Sequence, residues 1–232
     1  MNNSLLKQTA ILVFANSPKE EIRRKSLFNA EYLLEEFTSR TIRKVKKTGI
    51  TYYHYSEEQQ VGVNFGERFI NAIQDVFQRG FQYVITLGND TPQMRTSHIL
   101  EALEELYAGR TVLGPSADGG FYLMGISRPN FCAQEFIELP WQTASLRSAV
   151  IRNMFRKNVS VFCLETFVDI DNINDIKLLL KRIRNIPFGI KNYIRFVLVN
   201  STPSENMPYK QPRADWFFPF YNKGSPAAFL YH

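Results

Sequence analysis

The stretch YVITLGNDTP at residues 83–92 joins an apolar run to a short polar loop. The run from 83 to 88 has the length and the apolar content of a buried β-strand. Asp90 follows directly, and Pro92 restrains the backbone of the loop. The sequence therefore predicts a carboxylate held at the end of a core strand.

Strands and helices alternate before this stretch. TAILVFA at residues 9–15 reads as a strand, and a polar loop is expected around Pro18. ITYYHY at residues 50–55 reads as a second strand. The following helix is expected to begin at Asn64, with Glu67 completing a capping box, and to end at Gly80. The first helix is indicated by the spacing of Leu27, Ala30, Leu33, Leu34 and Phe37.

The alternation continues after residue 92, with a helical pattern from Ile99 to Leu106 and the strand TVLGP at 111–115. Such alternation predicts right-handed crossovers and a parallel sheet. Open sheets of this kind bind ligands at the edge where the strands end. We therefore expect the loops that carry Pro18, Asp90 and Asp118 to converge.

The last third of the predicted domain breaks the regular pattern. FYLMGI at 121–126 follows a Gly-Gly turn with no helix between, so this strand should run against its neighbours and make the sheet mixed. Residues 143–157 are predicted as a helix with Thr143 as a candidate N-cap. VSVFCL at 159–164 is the last predicted strand, and a loop from Asp169 leads into a further helix.

Composition excludes several classes of protein. No apolar run approaches the roughly 20 residues that span a bilayer, and the chain start lacks a basic leader, so we expect a cytoplasmic protein without a membrane partner. Lys and Arg outnumber Asp and Glu by 28 to 22, which favours an anionic partner. No nucleic-acid reading module is visible, so nucleic acid is not expected. Cys132 and Cys163 lack metal-site spacing and are read as buried thiols.

Two basic clusters account for much of the excess charge. Arg23, Arg24 and Lys25 lie in the loop predicted after the first strand, where they are candidates to bind phosphate. That loop has no glycine, so contacts would come from side chains and not from a glycine-rich cradle. The second cluster is expected at a solvated helix end, where cations complement the helix dipole. It comprises Arg40, Arg43, Lys44, Lys46 and Lys47.

Three aspartates are candidate ligands for Mg²⁺ or Mn²⁺, which prefer carboxylate oxygens and leave positions open for substrate phosphates. Asp90 has the alternative of an Asx-turn or a helix cap. Asp169 and Asp171 stand at alternate positions, so in an extended segment both would point to one side. The alternative for Asp171 is the N-cap of the following helix.

Asp118, Gly119 and Gly120 form a further candidate site in the loop GPSADGG. The two glycines permit conformations that other residues avoid and let a ligand approach closely. The alternative is an ordinary tight turn between two strands. These residues alone do not separate the two interpretations.

The chain is divided into a domain at residues 1–200 and a C-terminal extension at 201–232. The extension is rich in proline and aromatic residues without a clear period. So many aromatic side chains are expected to pack against something, either the domain itself or a subunit interface in a homodimer.

Six motifs occur in an order that resembles one family. They are FANSP, NFGERFINAIQDVF, LGNDTPQM, LGPSADGGFYLMGI, LPWQT and VDIDNINDI, between Ile11 and Ile183. The chain resembles the glycosyltransferase-A-like transferases of the nucleotide-diphospho-sugar transferase superfamily, in particular the uncharacterised group called radical-SAM and selenodomain-associated transferases.

The resemblance implies an α/β fold, a three-layer αβα sandwich with a mostly parallel mixed sheet. It makes Asp90 the metal-site aspartate, Asp118, Gly119 and Gly120 the Asp-Gly-Gly loop, and Asp169 and Asp171 the late Asp-x-Asp. Gly66, Glu67 and Arg68 match a Gly-Glu-Arg helix start. The implied partners are a nucleotide sugar or NTP and a small-molecule acceptor, with Mg²⁺ or Mn²⁺ as cofactor and Asp90 and Asp118 as catalytic residues.

The first loop departs from the family pattern. The family has Lys after Phe-Ala, Pro-Gly after the next proline, and then Lys-Thr-Arg-Leu. This chain has Asn16, Glu20 and Glu21, followed by Arg24, Lys25, Ser26 and Leu27. Two functions are therefore carried forward: a metal-dependent glycosyl- or nucleotidyltransferase, and a catalytically inactive binding module of the same fold.

Overall fold

The computed structural model describes residues 3–25, 30–172, 175 and 194. Three predictions concern segments outside these residues and remain predictions: the extension at 201–232, the helix after Asp171 and the position of Leu27. The described chain forms seven α-helices, six β-strands and one short 3-10 helix at Arg128–Asn130.

The strands are β1 Thr9–Phe14, β2 Thr51–Tyr55, β3 Tyr83–Leu87, β4 Thr111–Pro115, β5 Phe121–Ser127 and β6 Val161–Cys163. The helices are α1 Asn3–Lys7, α2 Pro18–Lys25, α3 Glu31–Lys46, α4 Phe65–Gln78, α5 Thr96–Tyr107, α6 Ala133–Ile137 and α7 Leu146–Arg156.

One six-stranded sheet runs in the order β2-β1-β3-β5-β4-β6. β1 pairs in parallel with both β2 and β3, and β4 pairs in parallel with β6. β5 is antiparallel to β3 and to β4, as the Gly-Gly turn before it predicts. The predicted mostly parallel mixed sheet is confirmed.

The side chains of β1 divide the core into two layers. Ala10, Leu12 and Phe14 pack with α4, α6 and α7 on one face of the sheet. The intervening residues, among them Ile11 and Val13, pack with α3 and α5 on the other face. Successive strand residues point to opposite faces, so a strand buried throughout requires helices on both sides. The three-layer αβα arrangement follows.

Helix α4 begins as its sequence predicts. Asn64 is the N-cap and accepts a hydrogen bond from the backbone N–H of Glu67 at 2.9 Å. Gly66 lies in the first turn of the helix. A larger residue would not fit there, because its Cβ would come within 2.4 Å of Cδ1 of Trp141. The loop that carries Trp141 can therefore pack directly on the helix.

The segment around Pro18 was predicted as a loop, and this was wrong: residues 18–25 form α2. Pro18 occupies the first helical position, where its missing N–H costs nothing. The backbone N–H of Glu21 donates to the carbonyl of Ser17 at 2.9 Å. Pairs four residues apart, Glu20 with Arg24 and Glu21 with Lys25, stabilise the helix further.

Two predicted elements are shorter than expected. α7 begins at Leu146 and not at Thr143, whose hydroxyl donates to the carbonyl of Pro140 instead of capping the helix. β6 covers only residues 161–163. This strand lies at the edge of the sheet, and Cys163 at its end is exposed. Cys132 precedes α6 and is partly exposed. The prediction of buried thiols was wrong.

The second basic cluster lies at the C-terminal end of α3, as predicted. Lys44 is not solvated like the others: its ammonium group donates to the carbonyl of Pro92 at 3.2 Å, and burial lowers its pKa to about 8. None of the helices in the described part of the chain combines the length and the apolar character needed to cross a bilayer.

Candidate functional site

The loops that follow β1, β3, β4 and β6 meet at one edge of the sheet. The backbone N–H of Ile170 donates to the carbonyl of Asp90 at 3.0 Å, which ties the segment after β6 to the loop after β3. Ala117, after β4, donates to the carbonyl of Phe167 at 2.9 Å. The predicted convergence of these loops is confirmed.

Two neighbouring cavities open at this edge and share Phe65, Asp90 and Gln142 in their walls. The larger has a volume of about 40 Å³, room for roughly three water molecules, and the smaller about 10 Å³. The larger cavity is polar and is lined by Asn16, Glu21, Arg24, Lys25, Gln60 and Asn89, together with the shared residues. The smaller has a mostly apolar surface and is lined by Phe121, Trp141, Leu146, Ser116, Gly120 and Asp169, together with the shared residues.

Asp90 lies at the junction of the two cavities. Its carboxyl group is largely buried, and Oδ2 accepts from Nζ of Lys25 at 3.3 Å. Lys25 was assigned to phosphate, but its ammonium group lies among carboxylates. Nζ is 3.0 Å from Oδ1 of Asp171 and 3.6 Å from Oε2 of Glu21. Burial alone would lower the pKa of Lys25, but the charges of Asp90, Asp171 and Glu21 raise it well above its usual value.

Asp169 lies on the side of the smaller cavity. It accepts a hydrogen bond from the hydroxyl of Thr91, the residue after Asp90. Burial of the carboxyl group raises the pKa of Asp169 to about 8, and the negative charge of Asp90 contributes to this rise. The Thr91 hydroxyl opposes it only in part. Asp169 is therefore mostly protonated at neutral pH when no cation is bound.

Asp171 does not cap a helix. The hydrogen bond expected of an N-cap is made by Asn172, whose Oδ1 accepts from the backbone N–H of Asp175 at 3.2 Å. The carboxyl group of Asp171 instead faces Lys25. Burial raises the pKa of Asp171, and the positive charge of Lys25 offsets part of that rise.

Asp118 serves the turn between β4 and β5. Its Oδ1 accepts from the hydroxyl of Ser116 at 2.7 Å and from the backbone N–H of Gly120 at 3.0 Å. Its Oδ2 is buried and has no hydrogen-bond partner among the described residues. The charge of Asp118 also raises the pKa of Asp169 and of Asp171. Asp118 thus belongs to the same carboxylate cluster, which we define as Asp90, Asp118, Asp169 and Asp171.

The two glycines of this turn have different environments. Gly119 has a φ of 95°, and a Cβ there would come within 2.3 Å of the carbonyl oxygen of Ala144. The space next to Gly119 is therefore filled by the chain itself and not left for a ligand. Gly120 lines the smaller cavity.

The structure separates the three cations of α2. Arg24 and Lys25 line the larger cavity, whereas the Arg23 side chain is 78% exposed and the described lining does not include it. Glu20 forms ion pairs with Arg23 at 3.1 Å and with Arg24 at 2.7 Å. Glu21 pairs with Lys25 and also accepts a hydrogen bond from the side chain of Asn16 at 2.8 Å. Both acidic residues of α2 are therefore paired.

Arg68 adds a positive charge close to Arg24. Burial lowers the pKa of Arg68, and the charge of Arg24 lowers it further. Its Nε is buried and finds no hydrogen-bond acceptor within the described part of the chain. The two guanidinium groups add positive charge beside the larger cavity, whose lining includes Arg24 and not Arg68.

The carboxylate cluster fits a divalent cation by the chemistry of its oxygens. Within residues 3–25 and 30–172, however, no group of three or more His, Cys, Asp or Glu side chains is arranged to hold a metal ion. The ammonium group of Lys25 lies between Asp90 and Asp171. The assignment of Asp90, Asp169 and Asp171 as metal ligands therefore remains a prediction.

Sequence reasoning gave no role to several residues that line the cavities. Gln142 lines both cavities and adopts a φ of 60°, which is rare for a residue other than glycine. Trp141 packs against Phe65 and Phe69 and donates to the carbonyl of Phe136 at 2.7 Å. Both residues belong to the motif LPWQT, one of the six motifs of the resemblance, and this motif could have identified them as candidate site residues.

One family model matches the chain over residues 39–143 and is described as an uncharacterized protein conserved in bacteria (DUF2064). The matched region includes Asp90 and the Asp118 turn but not α2, Asp169 or Asp171. No curated protein matches the sequence.

Solved structures resemble the chain over most of its length. A protein of Desulfovibrio desulfuricans G20, provisionally described as a nucleotide-diphospho-sugar transferase, has 22% identity and a TM-score of 0.69 over 84% of this chain and 98% of its own. A Mycobacterium tuberculosis H37Rv protein in complex with manganese has 14% identity and a TM-score of 0.43 over 76% of this chain and 100% of its own. A cytidylyltransferase of Leptospira borgpetersenii has 12% identity and a TM-score of 0.40 over 88% of this chain and 99% of its own.

Only the first of these structures is similar enough to bear on this chain. At 22% identity it shows that the two proteins share a fold and leaves the activity open.

Proposed function

We propose that this protein transfers a glycosyl or nucleotidyl group from a nucleotide donor, a nucleotide sugar or an NTP, to a small-molecule acceptor. The observation that carries the proposal is the position of Asp90 between two unlike cavities at the ligand-binding edge of this fold. One cavity is polar and bordered by cations, and the other is mostly apolar. A transferase needs such a pair of adjoining subsites for donor and acceptor.

The donor phosphates are assigned to the larger cavity. Arg24 lines it, and Arg68 lies close enough for the charge of Arg24 to affect its pKa. An anion placed there would contact Arg24, which also pairs with Glu20 at 2.7 Å, and would lessen the repulsion between the two guanidinium groups. The cavity is small, so the remainder of the donor would lie in the open cleft outside it.

The carboxylate cluster is assigned to the divalent cation, with Asp90, Asp169 and Asp171 as the ligands. When bound, Mg²⁺ or Mn²⁺ would neutralise charge on the donor phosphates. Burial is the largest cause of the raised pKa values of Asp169 and Asp171, and the negative charges of Asp90 and Asp118 add to it, so a bound cation would stabilise the ionised form of both carboxyl groups. The unpartnered Oδ2 of Asp118 makes it a further candidate to act close to the transferred group.

The acceptor is assigned to the cleft outside the smaller cavity, whose volume of about 10 Å³ takes only a single small group of it and whose walls include Phe121, Trp141, Asp90 and Asp169. A covalent intermediate is not required. Holding donor and acceptor in line and neutralising the developing charge can supply most of the rate enhancement. Whether the sugar–phosphate or the phosphate–phosphate bond breaks depends on the donor.

A second candidate is a binding module of the same fold that holds a nucleotide or sugar phosphate without turnover. The observation that favours it is the ammonium group of Lys25 between Asp90 and Asp171. In that case the protein would need no divalent cation.

Calorimetry with nucleoside di- and triphosphates and nucleotide sugars, with and without Mn²⁺, separates the two candidates. The transferase is expected to bind a donor more tightly with Mn²⁺ and to turn it over when acceptors are supplied. Binding that is indifferent to Mn²⁺ and never followed by turnover would favour the binding module. A failure to bind every nucleotide would contradict both.

A further inference from the structure

The ammonium group of Lys25 is enclosed by acceptors and negative charges. It donates hydrogen bonds to the carbonyl of Ile170 at 2.8 Å and to Oδ2 of Asp90 at 3.3 Å. Oδ1 of Asp171 at 3.0 Å and Oε2 of Glu21 at 3.6 Å lie within ion-pair distance. The Lys25 side chain is only 6% exposed, so protein groups and not water surround its charge.

These acceptors come from three separate parts of the fold. Glu21 belongs to α2, Asp90 to the loop after β3, and Ile170 and Asp171 to the segment after β6. Lys25 therefore fixes the C-terminal end of α2 against the loops that carry the carboxylate cluster. A buried ammonium group is costly unless it is paired, and here several carboxylates compensate it.

Asp90 and Asp171 are also residues to which the proposed function assigns the divalent cation. Mg²⁺ binds carboxylate oxygens at about 2.0–2.1 Å and keeps a compact shell. An ammonium group and a divalent cation cannot both lie between the same two carboxyl groups, because their charges would repel strongly at such separations. One cation must leave before the other enters.

We propose, on the basis of the proposed function, that Lys25 is the resident cation of the carboxylate cluster and that a divalent metal must displace it. Lys25 then sets the metal affinity of the site. Metal entry also releases the end of α2, which carries Glu21 and Arg24 in the wall of the larger cavity. The freed ammonium group remains beside that cavity, where it can contact the donor phosphates.

A purely structural lysine would behave differently. Its removal would weaken the fold and would leave the affinity for a divalent ion unchanged or lower.

The test is Mn²⁺ binding without nucleotide, measured by calorimetry on the full chain and its Lys25→Met and Lys25→Arg variants. Methionine keeps the length of the side chain and removes the charge, whereas arginine keeps the charge as the matched control. Lys25→Met is expected to bind Mn²⁺ at least tenfold more tightly than the wild type, and Lys25→Arg no more tightly. Equal or weaker binding by folded Lys25→Met would overturn the proposal.

A second measurement uses the wild type and so does not depend on the folding of the variant. Displacement should make the Lys25 amine accessible, so its modification by an acetylating reagent, followed by mass spectrometry, should rise at least several-fold when Mn²⁺ is added. Exposed Lys19 supplies the internal control and should not change. Unchanged modification of Lys25 at saturating Mn²⁺ would also overturn the proposal.

The outcomes distinguish this inference from the proposed function. A gain of Mn²⁺ affinity in Lys25→Met without donor binding by any form would leave the inference standing and contradict the transferase. Mn²⁺-dependent donor binding by the wild type, with no gain of Mn²⁺ affinity in Lys25→Met, would support the transferase and contradict the inference about Lys25. If no form binds Mn²⁺, both fail.

Discussion

Nζ of Lys25, at the end of α2, lies 3.0 Å from Oδ1 of Asp171, in the segment after β6. This ion pair joins the end of α2 to the segment after β6, at the edge of the sheet where the two cavities open. It brings a basic side chain that was expected to bind phosphate into a group of carboxylates that were expected to bind metal. The predictions below follow from this arrangement and from the two cavities beside it.

Arg24 and Arg23 offer a matched pair for testing the donor site, because they are neighbours in α2 and both pair with Glu20. Arg24→Gln is expected to weaken nucleotide binding by about 10-fold or more, since charge-assisted hydrogen bonds to phosphate contribute about 1.5–3 kcal/mol. Arg23→Gln should leave binding within about twofold, because Arg23 projects into solvent. Nucleotide titrations of both variants give the comparison, and equal losses would contradict the location of the donor site.

Asp169 should make stability fall as the pH rises. Its pKa in the folded protein is about 8, against about 3.9 in an unfolded chain, so the folded state holds the extra proton between these values. Its contribution to the free energy of unfolding is therefore fully present below about pH 4 and is lost as the pH rises toward 8, at no more than about 1.4 kcal/mol per pH unit.

The check on Asp169 is a series of urea unfolding curves from pH 5 to 8, in the presence of a chelator, for the wild type and Asp169→Asn. Asparagine resembles the protonated acid and can still accept from Thr91. The stability of the wild type relative to the variant should decline across the series. Parallel pH dependences would show that Asp169 does not carry the extra proton.

Much of the fold could be predicted because its signals are local. The apolar runs of β1, β3 and β4 and the Asn64 cap of α4 lie within short windows of sequence. The reversal at β5 was also predictable, because Gly119 and Gly120 leave no room for a crossover helix. α2 was missed although Ser17 and Pro18 form a recognisable helix start, since Pro18 was read as a sign of a loop.

The details of the site were less accessible to sequence reasoning. The position of the Lys25 ammonium group depends on Asp90 and Asp171, which lie in two other segments of the chain. No local sequence pattern predicts which of the three basic residues of α2 contacts these carboxylates. Likewise, Gly119 was read as making room for a ligand, whereas the room is taken by Ala144. Such contacts are set by the packing of distant segments and become visible only in three dimensions.

Gly119 and Gly80 provide a controlled comparison of that contact. Their φ values are 95° and 100°, so alanine at either position meets similar backbone strain. A Cβ at Gly119 would also come within 2.3 Å of the Ala144 carbonyl oxygen, whereas nothing lies within 4 Å of one at Gly80. Gly119→Ala is therefore expected to cost about 1–3 kcal/mol more than Gly80→Ala. Thermal or urea unfolding measures the difference, and equal costs would show that the turn is not packed against Ala144.

The proposed metal-dependent transfer depends most on Asp90, because this residue borders both cavities and contacts Lys25. Asp90→Asn keeps the shape of the side chain and removes its charge. Lys25 keeps its ion pairs with Asp171 and Glu21 in this variant, and an asparagine oxygen can still accept from its ammonium group, so the free energy of unfolding should fall by no more than about 1.5–3 kcal/mol. The variant is therefore expected to fold.

The most direct test is the affinity for the donor nucleotide with and without Mn²⁺, measured by calorimetry on the wild type and Asp90→Asn. Replacing a residue that only supports a metal ligand typically costs 10–100-fold, and loss of a ligand itself should cost at least as much. The account predicts that Mn²⁺ strengthens nucleotide binding by the wild type and has no effect on folded Asp90→Asn. An undiminished Mn²⁺ effect in the folded variant would contradict it.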